Sequence, residues 1–263
     1  MTADYKRALT DLAQGLWSWP VWTRLGWQEV KRRYRRTVLG PFWVTLSLGM
    51  FIGGLGVIWA PLFGSNVSEY LPFVTAGMIS WTLVATIINE GCVVYTNAES
   101  LIKQLNFTLS ILNWTLVWRN IIVFSHNLVI AAIVYLAFPA SVNWNTLLVI
   151  PGLAIVAING AWMSVLLGMI STRYRDVPQL VGNLVQVLMF VTPIFWYSHQ
   201  LGAQAYLMNY NVLYHIIEVV RDPLLGQVPP MLSYNVDIGL AVVGWSVTLF
   251  LYARFRPRIA YWL

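Results

Sequence analysis

Residues 31–63 read Lys31-Arg-Arg-Tyr-Arg-Arg-Thr-Val-Leu-Gly-Pro-Phe-Trp-Val-Thr-Leu-Ser-Leu-Gly-Met-Phe-Ile-Gly-Gly-Leu-Gly-Val-Ile-Trp-Ala-Pro-Leu-Phe63. A cationic cluster gives way to an apolar run over 38–63 that contains no Asp, Glu, Lys or Arg. A helix needs roughly 20 such residues to cross the ~30 Å hydrocarbon layer. Outward from this stretch, comparable runs recur at 71–95, 115–138, 146–170, 181–197 and 236–252. With 58% hydrophobic and only 10% charged residues among 263, the chain cannot be a soluble globular protein.

The charges orient the runs. Eight of the 16 lysines and arginines precede the first run, and Lys103 and Arg119 lie in or beside the second connection. Arg173 and Arg175 occupy the fourth connection, Arg254, Arg256 and Arg258 follow the last run, and only Arg221 falls on the other side. Positive residues accumulate on the cytoplasmic side, so both termini are expected there, as an even number of spans requires. The expected fold is therefore all-α and integral to a membrane. It is one transmembrane domain, 1–263, with an N-terminal interfacial amphipathic helix at 13–37, spans one to five within 38–197, and a sixth span and cytoplasmic tail at 236–263. Asp4, Lys6, Arg7 and Asp11 interrupt the N-terminus where a cleavable signal would need an apolar core, so none is expected. The net charge of +6 flanks the spans and suits anionic headgroups better than nucleic acid. Cys92, the one cysteine, lies in a span, which excludes a disulfide framework and a cysteine metal site.

Pro20 can open the interfacial helix. Trp22, Gly26, Val30 and Tyr34 then share one stripe, and Arg24, Gln28, Lys31 and Arg35 the opposite one. Tryptophans 17, 19, 22 and 27 supply interfacial anchors. Gly49 and Gly53 in the first span permit close helix contact. The connection over 95–114 is long enough for a short helix along the membrane surface.

The region 198–235 is external by its charges, too polar to face lipid and too apolar for an ordinary loop. It suits re-entrant helices whose backbone ends are covered by protein. His126 is an intramembrane histidine with no acidic partner in its span, read as a neutral hydrogen-bonding group before a proton relay, and Glu90 and Arg119 read as a pair between neighbouring helices or as contacts to headgroups. Gln179, Asn183, Gln186 and Phe190 recur at helical spacing toward Phe195, Trp196 and Tyr197. Amides and flat aromatic faces can line a carbohydrate path, or form an interhelical ladder capped by an aromatic belt. No Gly-x-x-x-x-Gly-Lys loop, His-Glu-x-x-His motif or Gly-x-Ser-x-Gly elbow occurs, so any nucleotide energy has to come from a partner. His215, Glu218, Arg221 and Asp222 cluster outside, where they equally suit a salt-bridged helix end or a membrane enzyme.

Four stretches together resemble the ABC-2 type permeases of bacterial polysaccharide exporters, which move O-antigen, capsular polysaccharide or teichoic acid. They are Glu29-Val-Lys-Arg-Arg-Tyr-Arg-Arg-Thr-Val-Leu-Gly-Pro-Phe-Trp43, Arg173-Tyr-Arg-Asp-Val-Pro178, Thr192-Pro-Ile-Phe-Trp196 and Asn209-Tyr-Asn-Val-Leu-Tyr-His-Ile-Ile-Glu-Val-Val-Arg-Asp-Pro-Leu-Leu-Gly226. The chain departs from the family pattern at Val212-Leu213, where a proline is common.

The resemblance implies six spans, external re-entrant helices between the last two, and a homodimer bound to two ABC ATPase subunits. Those subunits hold ATP and Mg, and this chain itself carries no cofactor and no metal. It implies a coupling helix over 97–105, with Asn97, Glu99, Leu101, Ile102 and Lys103 as docking candidates, and a second contact near Arg173, Arg175 and Asp176. It also favours the substrate-path reading of Asn183, Gln186, Phe190, Phe195, Trp196 and Tyr197, on a fifth span that would line the path with the first. Lys31, Arg32, Arg33, Arg35 and Arg36 become candidates for headgroups or the diphosphate of a lipid carrier. O-antigen is the foremost expected substrate and no catalytic residue is expected. The alternatives are a membrane-bound transferase acting on the same lipid-linked sugars through Asp222 or His215, and an ABC exporter of a small drug or lipid.

Overall fold

The computed structural model describes residues 2–35, 40, 42–104, 107–138 and 142–263. Among them the regular structure is helical, without strands. Two helices open the chain, α1 (Thr2–Trp17) and α2 (Trp19–Tyr34). They are followed by α3 (Phe42–Leu62), α4 (Val67–Cys92), the short α5 (Glu99–Gln104) and α6 (Ser110–Ala137). A 3-10 helix (Trp144–Leu148) runs into α7 (Val149–Arg173), followed by α8 (Val177–Val191) and a second 3-10 helix (Ser198–Tyr210) kinked at Gly202. The chain ends with α9 (Val212–Leu224) and α10 (Met231–Trp262).

Five of the described helical segments are long and apolar enough to cross a membrane: α3, α4, α6, Trp144–Arg173 and α10. The expected fifth span differs. α8 has 15 residues, about 22 Å, which is short of the hydrocarbon thickness. Its end is set by Thr192-Pro193: the ring of Pro193 disfavours helical geometry at the residue before it, and Thr192 is extended at φ −88°, ψ 134°. The chain then turns beneath α4. Tyr70 donates to the carbonyl of Phe195 at 2.5 Å and Arg221 donates to that of Pro193 at 2.9 Å.

α4 is the axis of the bundle, packed by α3, α6, α7, α8 and α9. Two of the glycines show how close the helices and the turn after α8 approach. A Cβ at Gly77 would meet the Ile194 carbonyl at 3.0 Å, and one at Gly152 would meet that of Val219 at 2.2 Å. By contrast Gly49 has only Ile130 nearby and Gly53 faces open space, so the small-residue pair of the first span is not used for close packing within the chain.

The N-terminal region is two helices rather than one. Ser18 separates them, its hydroxyl donating to the Gln14 carbonyl at 2.6 Å, so that 13–17 belong to α1. α2 lies against α6, with Trp22 stacked on Trp114 and edge-on to Trp118. α1 lies against α6 and α10 through Asp11, which is 3% exposed. Its carboxylate accepts from the amides of Leu109 and Ser110 at 3.3 and 3.2 Å, from Tyr252 at 3.0 Å and from Arg256 at 2.9 Å. Asp11 thus caps the start of α6 from a distant helix, a site where a carboxylate meets free amides and the positive end of the helix dipole.

Candidate functional site

At the α5 end of the bundle, α2, α4 and α6 enclose a cavity of about 580 Å³ lined by charged and apolar residues, among them Arg32, Arg33, Asn97 and Leu116. Its walls are joined by one ion-pair chain. Glu90, near the end of α4, accepts from Arg119 of α6 at 2.5 Å, from Asn120 at 3.0 Å and from Arg33 of α2 at 3.1 Å. Arg119 also pairs with Glu29 of α2. Of the two readings left open by the sequence, headgroup contact and a pair between helices, the structure has Glu90 paired with Arg119, and the pairing continues into α2. A guanidinium shared between two carboxylates holds a geometry that neither pair would hold alone.

Of the basic residues on α2, Arg32 lines the cavity, Arg33 is committed to Glu90, and Lys31 sits over the Trp27 ring. Arg35 is exposed at the helix end. Arg36 lies outside the described residues, as does Leu105 at the end of the expected coupling segment.

Directly beyond the cavity stands α5. Leu101 is exposed, Ile102 is buried beneath it, and Lys103 pairs with Glu99 at 2.7 Å. The hydrogen bond and charge of Lys103, with a further contribution from Arg175, hold the Glu99 carboxyl below its usual range. Arg175 thus comes from the second expected contact to the side of the first. Its guanidinium reaches the Leu263 carbonyl at 3.5 Å, while Arg173 lies over the rings of Tyr174 and Trp262. Asp176 is the exposed residue at the start of α8. Two segments 70 residues apart and the end of α10 therefore share one surface.

On α8, Gln179, Asn183, Gln186 and Phe190 form an exposed stripe, with Gln179 donating to Asn183 at 3.2 Å. The aromatics beyond it are not a continuation of that helical face. Phe195 is buried between Trp59 and Phe190, Trp196 donates to the Phe190 carbonyl at 3.1 Å, and Tyr197 packs on Phe73 and His199.

His215, Glu218, Arg221 and Asp222 of α9 are turned inward. His215, 1% exposed, bonds Ser233 at 2.8 Å and the Asn209 carbonyl at 3.0 Å, and Ser233 donates to Glu218. Arg221 pairs with Asp222 at 3.2 Å and stacks on Phe73 and Tyr214. These bonds are internal to the chain and the four side chains are buried. His126 donates from Nδ1 to the Ile122 carbonyl at 2.7 Å and meets Phe42 edge-on. Reading the sequence missed Glu29 and Asp11. Glu29 sits opposite a cation only once α2 is docked, and Asp11 is 98 residues from the amide that it caps.

A family model described as ABC-2 type transporter matches residues 21–225. The O-antigen export system permease protein RfbA of Myxococcus xanthus is 21% identical over 170 residues, which is 64% of this chain and 65% of that protein. The match thus spans less than two thirds of the relative.

Proposed function

This chain belongs to the ABC-2 type transporter family, and from that premise we propose that it is the transmembrane permease subunit of an ABC exporter of lipid-linked cell-envelope polysaccharide. O-antigen is the foremost substrate, with capsule and teichoic acid next, in line with what the name of the Myxococcus relative says of that protein. A homodimer of the chain crosses the inner membrane with both termini in the cytoplasm. In each copy α8 and the turn after it make the fifth crossing, α10 makes the sixth, and α9 forms the external re-entrant element. ATP and Mg are held by two separate ATPase subunits, since this chain has no phosphate-binding glycine loop.

One observation supports this reading most. α5, the segment 173–176 and the end of α10 converge on a single surface, and that surface adjoins a cavity whose ion pairs tie α2 to α4 and α6. An ATPase pressing on α5 would move the end of α4 and the start of α6, and through Glu90 and Arg119 would shift α2. A lateral opening beside α2 would then admit the carrier lipid, its diphosphate drawn to the cationic end of the helix. The α8 stripe offers amides and Phe190 to the sugar chain.

Affinity purification of this chain co-expressed with an ABC ATPase subunit tests the docking surface. The ATPase is expected to co-purify, and Leu101→Glu to abolish that without loss of folded protein. Failure of the wild-type chain to retain the ATPase contradicts the reading, and retention by Leu101→Glu moves the contact away from α5.

A further inference from the structure

From the way α1 lies across the end of α10, we infer that the chain carries a site for an anionic phospholipid, distinct from the α2 cavity. The two helices border a groove of about 400 Å³ lined by Tyr5, Phe250, Ala253, Arg254, Pro257 and Arg258, with Asp4 also on its wall. Its placement follows from the apolar run of α10 over 236–252, which ends at this groove with three arginines directly after it. Phe250 and Ala253 therefore sit where acyl chains end, and Arg254 and Arg258 lie within the next two turns, at headgroup depth.

The groove thus has an apolar floor on the hydrocarbon side and two guanidiniums on the headgroup side, the division of a phospholipid itself. Arg254 and Arg258 are exposed and each rests over the Phe255 ring, which steadies the long side chains while leaving their edges for phosphate oxygens. Nearby on the other side of α1, Lys6 and Arg7 line a second cleft with Arg256. The junction thus carries Lys6, Arg7, Arg254, Arg256 and Arg258 against Asp4 and Asp11, a surplus of cations. Asp11, through Arg256 and Tyr252, fixes α1 on α10 and so fixes the width of the groove. The exposed Leu9, Leu16 and Trp17 keep α1 at the membrane surface.

Native mass spectrometry of the full chain released from nanodiscs containing phosphatidylcholine and phosphatidylglycerol in equal amounts tests this. The wild-type chain is expected to retain phosphatidylglycerol over phosphatidylcholine, and the Arg254→Gln, Arg258→Gln double variant to lose at least about tenfold of that preference. The Lys6→Gln, Arg7→Gln double variant is expected to keep it, and inorganic phosphate is expected not to displace the lipid. Equal retention of both lipids by the wild-type chain overturns the inference without recourse to any variant. So does unchanged preference in the Arg254, Arg258 variant, and so does equal loss in the Lys6, Arg7 variant, which would make the attraction diffuse. Displacement by inorganic phosphate would reassign the arginines to a free anion.

Discussion

The charged groups of α9 and those around the α2 cavity are the same residue types put to opposite uses. In α9, His215, Glu218, Arg221 and Asp222 are each less than 9% exposed and satisfied by one another, by Ser233 and by backbone carbonyls. Around the cavity, Glu29, Glu90, Arg33 and Arg119 are paired as well, but they border open space and join three different helices. A charge pair withdrawn from solvent is strongly disfavoured from losing one partner, whereas a part-buried pair that borders a cavity can be exchanged at a lower cost. The α9 network is thus a fixed brace, and the cavity pairs are the place where helices can part.

The largest effect in this comparison is expected from Arg221→Met. It leaves Glu218 and Asp222 buried without their cation and frees the Pro193 carbonyl, which should cost about 3–5 kcal/mol and show as a large loss of folded protein in a thermal melt in detergent. Retention of the wild-type melting temperature would mean that α9 is not the brace. Next comes Asp11→Asn. It weakens the cap on α6 and leaves Arg256 without its carboxylate, and because Arg256 is partly solvated the loss should be about 2–3 kcal/mol, read from the same melt. Protease sensitivity should rise first around α1.

Glu90→Gln is expected to be smaller in stability, about 1 kcal/mol, yet larger in its effect on export, because it loosens α2 from α4. A double-mutant cycle with Arg119→Gln should return a coupling energy of about 1 kcal/mol or less, and a value comparable to a buried pair would make the cavity a second brace. Asn183→Ala and Gln186→Ala on the exposed stripe should change stability by less than about 0.5 kcal/mol. Export assays then decide whether the stripe touches polymer.

The contrast also shows what the sequence could reveal. Long apolar runs located α3, α4, α6, α7 and α10, since each satisfies its backbone internally whatever its neighbours do. The same logic overextended the fifth run: hydropathy continues through 192–197, but Pro193 ends the helix and the carbonyls beyond it are taken by Tyr70 and Arg221. α1 escaped notice because its Asp, Lys and Arg residues dilute the apolar face that docks it. Although the choice between a mutual pair and lipid headgroups stayed open, the placing of Glu90 and Arg119 at ends of neighbouring spans was legible. Their extension to Glu29 and Arg33 was not, since it depends on how α2 crosses α6. Burial of Phe195 was hidden for the same reason: an aromatic at the end of a run looks alike whether it faces sugar or the protein core.

ATP hydrolysis coupled to export tests the account most directly. The purified chain is placed in nanodiscs alone and together with its ABC ATPase subunit, with and without lipid-linked polysaccharide. No hydrolysis by the chain alone, and hydrolysis by the complex that responds to polysaccharide and loses that response in Glu90→Gln, is the predicted result. Hydrolysis indifferent to polysaccharide in the wild-type complex, or an unaltered response in Glu90→Gln, would contradict it.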